Sequence, residues 1–367
     1  MVPMADLKTQ YSNLKPEIDA AIARVIESSA FILGPEVAAF EEEFAAYSGS
    51  TTGIGVNSGT SALHLALLAA GIGAGHEVIT TPFTFVASAA AVRYTGARPV
   101  FVDIEPRSFN IDPAKIEQAI TPATRAIMPI HLYGQAADMD PILEIARRRN
   151  LIVIEDAAQA HAAEYKGRRC GSIGHMACFS FYPGKNLGAF GEGGMVTTSN
   201  PEYANMIRML RDWGSARKYE HTWRGFNYRL EGIQGAVLRV KLRHLDAWTE
   251  SRRAHAAHYN RELGRLGFAT PEEMSGARHV YHAYTLRTTR RAQLQEHLRN
   301  AGIQSGIHYP VPVHLQPAHA DLGYGPGSFP VAERAANEVL SLPVHPELTP
   351  GQLAEVCSAL AAFPAAN

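Results

Sequence analysis

Short apolar runs alternate with stretches of helical periodicity through the first two thirds of the chain. The apolar runs lie at 53–56, 78–81, 99–103, 126–130, 151–155, 177–181 and 195–198. The helical stretches occupy 15–29, a segment starting at Pro35, 60–70, 84–95, 112–120 and 139–149. This alternation predicts an α/β fold in which a mostly parallel sheet carries helices on both faces. Ligands of such sheets bind beyond the carboxyl ends of the strands.

The pattern changes after Asn227, where a small α+β domain is predicted. A long helix at about 230–260 is followed by a strand at 279–287, a helix at 291–301, a strand at 304–309, and helices at 331–340 and 350–362. We therefore expect a large domain at 1–245 and a small domain at 246–367.

Composition argues against several classes of function. The 34 basic and 35 acidic residues nearly cancel, so the chain has no large positive charge that would attract nucleic acid. No apolar run approaches about 18 residues, so neither a transmembrane span nor a signal peptide is expected. The three cysteines are scattered, which favours a reducing cytoplasm over a disulfide framework. No group of His, Cys, Asp and Glu has the spacing of a zinc site, so no metal is expected.

Lys185 is the first residue that indicates chemistry. It stands in the segment 183–186 (Pro-Gly-Lys-Asn), shortly after the apolar run 177–181. A lysine held there by proline and glycine is expected to be sheltered from water, and burial lowers the pKa of a lysine. The neutral amine that results can form a Schiff base with an aldehyde.

An acid marks a second strand end, in the segment 155–159 (Glu-Asp-Ala-Ala-Gln). A buried Asp156 needs a partner, and a pyridinium N–H would provide one, because the acid keeps the ring nitrogen protonated and the ring able to accept electrons. Gln159 lies one helical turn further on and is within reach of a ring hydroxyl. The alternative is that Asp156 caps a helix or forms a salt bridge.

Two further strand ends carry small hydroxyl residues and aromatic residues. The segment 57–61 (Asn-Ser-Gly-Thr-Ser) opens a helix, whose free N–H groups and dipole make an anion site, although an ordinary helix cap is the alternative. In the segment 81–85, Phe83 and Phe85 either pack in the core or stack on a flat ring. The lysine, the acid and the anion-binding turn are the three contacts that pyridoxal phosphate needs.

Together these motifs resemble those of the DegT- or StrS-type family of pyridoxal-phosphate-dependent sugar aminotransferases. The resemblance covers almost the whole chain. It implies the aspartate-aminotransferase type of fold (fold type I) and a homodimer with shared active sites. The segments that carry it are 6–8, 31–37, 57–60, 75–85, 155–159, 183–186, 225–230, 308–310 and 341–343.

The resemblance also implies roles for individual residues in holding the cofactor. Lys185 matches the Schiff-base lysine, which also moves a proton, and Asp156 matches the partner of the ring nitrogen. Asn227 matches a residue that reaches the phosphate of the neighbouring subunit. The other contacts implied are Gln159 with the ring hydroxyl, Phe85 on the ring face, and a phosphate cup of Gly59, Thr60, Ser61 and Ser180.

Members of the family usually act on keto sugars attached to a nucleotide diphosphate, with L-glutamate as the amino donor. The resemblance therefore implies a ping-pong transamination through a Schiff base on Lys185. The segments 217–221 and 308–314 most resemble those of members that act at C3 of the sugar. The residues implied to bind the substrate are Tyr182, Tyr219, Arg229, His308 and Tyr309.

Three departures from the family pattern leave the substrate open. Ala162 stands where members commonly have Gly, Trp213 replaces a frequent His, and Tyr228 stands where C3-acting members often have Ser. Amination at C4 is therefore an alternative, and so is a regulatory homologue without turnover. A dehydratase that uses His in place of the lysine is disfavoured by Lys185. A dinucleotide enzyme is disfavoured because the glycine-rich segment 188–194 precedes a strand.

Overall fold

The computed structural model describes residues 1–364, so the last three residues of the predicted domain 246–367 lie outside the described residues. Within the described part, the helices are α1 (Leu7–Ser28), α2 (Pro35–Ser48), α3 (Gly59–Ala69), α4 (Ala87–Tyr94), α5 (Met139–Arg149), α6 (Pro201–Arg211), α7 (Gly232–Leu242), α8 (Leu245–Arg265), α9 (Arg291–Asn300), α10 (Pro330–Glu338) and α11 (Pro350–Ala361). Short 3-10 helices span Pro113–Lys115, Glu117–Ala119, Leu132–Gly134, Val313–Leu315 and Pro317–Leu322.

The strands of the described chain form one large sheet and several small ones. They are β1 (Thr52–Val56), β2 (Glu77–Thr80), β3 (Arg98–Phe101), β4 (Thr124–Ile127), β5 (Ile152–Asp156), β6 (Glu164–Tyr165), β7 (Arg168–Arg169), β8 (Met176–Ser180), β9 (Gly194–Thr198), β10 (Ser215–Arg217), β11 (Glu220–His221), β12 (Ala277–Arg278), β13 (Tyr284–Arg287) and β14 (Val339–Leu342).

The seven strands predicted from the apolar runs are confirmed as a single sheet. Its order is β1-β9-β8-β5-β4-β2-β3. Strands β8, β5, β4, β2 and β3 are parallel, whereas β9 is antiparallel to both of its neighbours, β8 and β1. Strand β1 therefore points the same way as the parallel strands. The carboxyl ends of β1, β2, β5 and β8 consequently share one edge of the sheet.

Both faces of this sheet are buried, as the continuous apolar runs predicted. Successive residues of a strand point to opposite faces. Ile79, Val153 and Phe179 belong to one core cluster, while their neighbours in the chain, Val78, Ile154 and Cys178, belong to another. The predicted α/β class is therefore confirmed.

A third core cluster gathers residues between 256 and 360, joined by Val2 from the other end of the chain. It packs helices α8, α9 and α11 against β13 and β14. The division of the chain at 245 stays a prediction. No helix within residues 1–364 combines the length and the apolar character needed to cross a membrane.

The long helix predicted at 230–260 is two helices. Helix α7 ends at Leu242, and a tight turn in which the His244 N–H donates to the Lys241 carbonyl oxygen (3.0 Å) separates it from α8. The turn lets Leu245 remain in the first core cluster while Ala256 and later residues of α8 enter the third.

Two other predicted elements were wrong. At 112–120 the Asp112 side chain accepts the N–H of Ala114 (3.1 Å), and two 3-10 turns replace the helix. At 304–309 the structure has a single β-bridge, between Gly306 and Ser341, and one further backbone hydrogen bond, from the Gln304 N–H to the Val2 carbonyl oxygen (2.9 Å). The strand cannot continue, because Pro310 follows and has no N–H to donate. The strand predicted at 279–287 is shorter than expected, and α6 had not been assigned although Asn200 caps it.

Candidate active site

The strand ends at which the sequence placed chemistry meet at one edge of the sheet. The segment 57–61 follows β1, the segment 81–85 follows β2, Asp156 ends β5 and Ser180 ends β8. Gly59 lies so close to Ser180 that a Cβ on the glycine would stand 2.6 Å from the Ser180 Cβ. The predicted convergence of these segments is therefore found in the structure.

Lys185 lies in a tight loop after β8. Its N–H donates to the carbonyl oxygen of Tyr182 (2.8 Å), and Asn186 Nδ2 fixes the loop by donating to the Val280 carbonyl oxygen (3.2 Å). The side chain is half-buried. Burial lowers the pKa of the Lys185 amine to about 8, although the nearby charge of Asp156 acts in the opposite direction. At neutral pH the uncharged amine is therefore a minor species, but it is far more abundant than for a lysine of ordinary pKa.

Asp156 is buried at the end of β5, where its two oxygens have separate donors. Ser88 Oγ donates to Oδ2 at 2.7 Å, and the Ala158 N–H donates to Oδ1 at 3.2 Å. Burial raises the pKa of the carboxyl, and these hydrogen bonds and the charge of Lys185 offset part of that rise. A carboxylate accepts several hydrogen bonds, so Asp156 can still take one from a ligand.

Gln159 and two aromatic residues lie beside the acid. Gln159 Oε1 accepts the N–H of Tyr133 (2.7 Å), and Gln159 Nε2 donates to the Tyr309 hydroxyl (3.0 Å). One N–H of the Gln159 amide is thus left for another acceptor. The Phe85 ring is 56% exposed, and its centroid lies 5.8 Å from that of Tyr309. Phe83, by contrast, is fully buried in the core.

The amino end of α3 combines a helix cap with free backbone donors. Ser58 Oγ accepts the N–H of Ser61 (3.1 Å), as the simple capping alternative predicted. The N–H groups of Gly59 and Thr60 have no acceptor within residues 1–364. The Ser61 hydroxyl donates to Asn57 Oδ1 (2.7 Å). The cap and an anion-binding turn are therefore compatible.

The predicted substrate residues differ in exposure and in hydrogen-bond partners. Tyr182 and Tyr219 are 55% and 85% exposed. His308 Nδ1 is hydrogen-bonded to Ser341 Oγ (2.9 Å), and burial lowers the pKa of this imidazole. Arg229 Nη1 donates to Asp212 Oδ1 (2.6 Å). The role of these residues stays a prediction.

Asn227 is exposed, as expected of a residue that reaches a neighbouring subunit. Its carbonyl oxygen accepts a hydrogen bond from Asn57 Nδ2 (3.3 Å), next to the amino end of α3. The side chain of Asn227 makes no hydrogen bond within residues 1–364. Its contact with a partner's cofactor stays a prediction.

A buried polar network behind Asp156 was not predicted. Glu155, His131 and Cys170 lie together and are buried. His131 Nδ1 accepts the N–H of Ala137 (3.1 Å), so Nε2 carries the proton and donates to Glu155 (2.9 Å). Glu155 also accepts the backbone N–H groups of Gly171, Ile173 and Gly174. Because both imidazole nitrogens and both carboxylate oxygens are engaged, the network supports the end of β5 and does not resemble a metal site.

Three features of the protein fit pyridoxal phosphate. The half-buried amine of Lys185 has no hydrogen-bond acceptor within residues 1–364, although its pKa is lowered toward the reactive, neutral form. The N–H groups of Gly59 and Thr60, at the amino end of α3, have no acceptor within residues 1–364, and a Cβ on Gly59 would stand 2.6 Å from the Ser180 Cβ. The exposed ring of Phe85 offers an aromatic face to a flat ligand.

Comparison with known proteins gives consistent results along the chain. A model of the DegT/DnrJ/EryC1/StrS aminotransferase family matches residues 12–361. The chain is 52% identical over 366 residues to the pleiotropic regulatory protein of Geobacillus stearothermophilus, covering 99% of this chain and 98% of that protein. It is 51% identical over 360 residues to dTDP-3-amino-3,4,6-trideoxy-alpha-D-glucose transaminase of Streptomyces venezuelae, covering 98% and 95%.

A solved structure is equally similar. S. venezuelae DesV in complex with a ketimine intermediate superposes with a TM-score of 0.96 at 51% identity. The alignment covers 98% of this chain and 97% of that chain. The expected aminotransferase fold is thereby confirmed over nearly the full length.

Proposed function

The chain belongs to the DegT/DnrJ/EryC1/StrS aminotransferase family, and on that premise we propose that it transfers an amino group from L-glutamate to C3 of a nucleotide-diphosphate-linked keto sugar. The protein is a pyridoxal-phosphate-dependent aminotransferase. The observation that carries the proposal is the half-buried amine of Lys185, with its pKa lowered to about 8, beside the buried carboxylate of Asp156. The choice of C3 is supported by the 51% identity to the S. venezuelae transaminase, whose name specifies a 3-amino sugar.

When bound, pyridoxal phosphate supplies an aldehyde that condenses with amines and a ring that accepts electrons from the reacting carbon. Lys185 Nζ acts as the nucleophile, and as a base it carries a proton to and from that carbon. With a pKa of about 8, the neutral amine is a minor but ready species at neutral pH. Asp156 would accept a hydrogen bond from the protonated ring nitrogen, in a buried position where such a bond is stronger than in water.

The geometry of the site supports the remaining proposed cofactor contacts. Gln159 has one N–H left for the ring hydroxyl, and Phe85 presents its exposed face to the ring. The N–H groups at the start of α3, with Ser180 opposite, would hold the phosphate. The residues proposed for this cup are Gly59, Thr60, Ser61 and Ser180.

The substrate would enter between exposed aromatic residues and the loop at 308–314. Tyr309 is joined to Gln159 and so lies next to the cofactor position, while His308 Nε2 has no partner within residues 1–364. Tyr182 and Tyr219 are exposed enough to contact a sugar or its nucleotide. Arg229, although paired with Asp212, is proposed as a charged contact nearby.

We further propose a homodimer in which Asn227 completes the phosphate site of the partner subunit. Exposed apolar side chains support a second copy as the covering surface. Light scattering measures the assembly, and mixing Lys185→Ala subunits with Asn227→Ala subunits tests the sharing. Shared sites predict activity in the mixture, whereas sites built within one chain predict none.

Two half-reactions test the proposed chemistry. Addition of L-glutamate to the purified holoprotein should discharge its yellow colour, and a dTDP-linked 3-keto sugar should restore it. NMR of the product should show nitrogen on C3. Nitrogen on C4 would favour the C4 alternative, and a colour that glutamate leaves unchanged would contradict the proposed donor. Failure to turn over any keto sugar would favour the regulatory alternative. That alternative is suggested by the name of the Geobacillus relative, a pleiotropic regulatory protein.

A further inference from the structure

A chain of buried hydroxyl groups ends on the carboxylate of Asp156. Thr84 Oγ1 lies 3.1 Å from Ser88 Oγ, and Ser88 Oγ lies 2.7 Å from Asp156 Oδ2. The three residues are 4%, 1% and 5% exposed. Thr84 follows β2 and Ser88 belongs to α4, so the chain links two elements to the end of β5.

The direction of these hydrogen bonds follows from the chemistry of the groups. An ionised carboxylate only accepts hydrogen bonds, so Ser88 must donate its single hydroxyl proton to Asp156. Thr84 must then donate its proton to Ser88. A hydrogen bond to a charged acceptor is the strong kind, and a second donor behind it polarises the first.

The other groups around Asp156 stabilise its carboxylate anion only weakly or only in part of the pH range. The Ala158 N–H makes a longer bond of 3.2 Å, and Lys185 favours the anion only while its amine is charged. His131 also faces the carboxyl, but it is held by Glu155. The other titratable groups close to Asp156 are those of Cys178 and Tyr309, which are neutral. Ser88 is therefore the nearest donor to the Asp156 anion whose own ability to donate does not depend on pH.

We propose that Ser88 is a positioning residue, which, oriented by Thr84, holds the Asp156 carboxylate as an anion and in one orientation toward the ring nitrogen of the cofactor. This inference rests on the proposed contact between Asp156 and that nitrogen. A purely structural role, in which the bond only ties α4 to β5, would lower stability without changing how the site treats the ring nitrogen.

The test compares two ligands that differ at the ring nitrogen. Pyridoxamine phosphate and its 1-deaza analogue bind the apoprotein without a bond to Lys185, and calorimetry gives their affinities. The wild-type protein should prefer pyridoxamine phosphate. In Ser88→Ala this preference should fall by about tenfold, the effect of losing one hydrogen bond to a charged group. Ser88→Cys, a weaker donor of similar size, should lie between the two, and Thr84→Val should lose about two- to threefold.

Ser50→Ala is the matched control. Ser50 is also buried, and its Oγ donates at 2.7 Å to the Gly171 carbonyl oxygen, at the opposite edge of the sheet. It should lose stability without losing the preference. If Ser88→Ala weakens both ligands equally, the positioning role is overturned while the contact of Asp156 stands. If the wild-type protein has no preference, the contact of Asp156 is overturned as well. Should Ser88→Ala fail to fold, an unchanged preference in Ser88→Cys and Thr84→Val overturns the proposal.

Discussion

Replacement of Lys185 by methionine should stabilise the cofactor-free protein at neutral pH. Methionine has a similar length and carries no charge. The pKa of the Lys185 amine is about 8, against an ordinary value of 10.5, because burial penalises the ammonium form more than Asp156 stabilises it. Each pH unit of difference between the folded and unfolded chain is worth about 1.4 kcal/mol, so the penalty is about 2–3 kcal/mol, with the lower figure allowing for water that reaches a half-buried amine.

The pH dependence of stability separates the cost of burying the charged Lys185 amine from any change in packing caused by the substitution. Above about pH 10.5 the amine is neutral in the folded and the unfolded chain, and no penalty applies. As the pH falls toward 8, the unfolded chain binds a proton that the folded chain does not, and the wild-type protein loses stability. Below pH 8 the full penalty is present. Burial also lowers the pKa of Lys241 to about 8, but Lys241 is present in both proteins and cancels in the comparison.

Urea unfolding of both apoproteins at one protein concentration measures the effect. The free energy of unfolding of Lys185→Met, relative to that of the wild-type protein, should be higher at about pH 7 than at about pH 11 by about 2–3 kcal/mol. The exposed Lys8 provides the control, and Lys8→Met should show no comparable dependence on pH. An advantage that is the same at both pH values, or a wild-type protein that is the more stable at neutral pH, would refute the reasoning.

Two further substitutions test the proposed phosphate cup and the ion pair between Arg211 and Glu41. Gly59→Ala should weaken binding of pyridoxamine phosphate by about tenfold or more, because its Cβ would stand 2.6 Å from the Ser180 Cβ; unchanged affinity would contradict the proposed cup. Arg211→Met should lower the free energy of unfolding by about 2–4 kcal/mol, since it leaves the largely buried Glu41 carboxylate without its cation, whereas Met in place of the exposed Arg208 should change it little. Equal losses in the two arginine variants would show that the ion pair does not carry this stability.

Much of the fold could be predicted because the strands are buried on both faces. Such strands appear in the sequence as unbroken apolar runs, which are hard to mistake. The wrong predictions lie where a local side-chain hydrogen bond or pairing with a distant segment determines the secondary structure. At 112–120 the capping of Ala114 by Asp112 stopped a helix that the apolar spacing favoured. At 304–309 isolated backbone contacts, of Gln304 with Val2 and of Gly306 with Ser341, replace a continuous strand that would have to end before Pro310.

The site divides in the same way. Lys185 and Asp156 could be proposed from the sequence because each stands at or shortly after the end of an apolar run, and ligands of parallel sheets bind at that edge. Ser88 and His131 could not, because they become part of the site only when the chain brings them to β5. Ser88 meets Asp156 across 68 residues of sequence, and His131 meets Glu155 across 24. Nothing in the sequence around Ser88 or His131 indicates that its partner is an acid at the end of β5.

Reduction of the holoprotein with borohydride, followed by peptide mass mapping, tests most directly which amine holds the cofactor. The reduction fixes the Schiff base as a stable pyridoxyl group on one lysine. We predict that the label lies on Lys185 alone. A label on Lys241, a buried lysine whose pKa is also about 8, or on no lysine, would contradict the assignment on which the proposed chemistry rests.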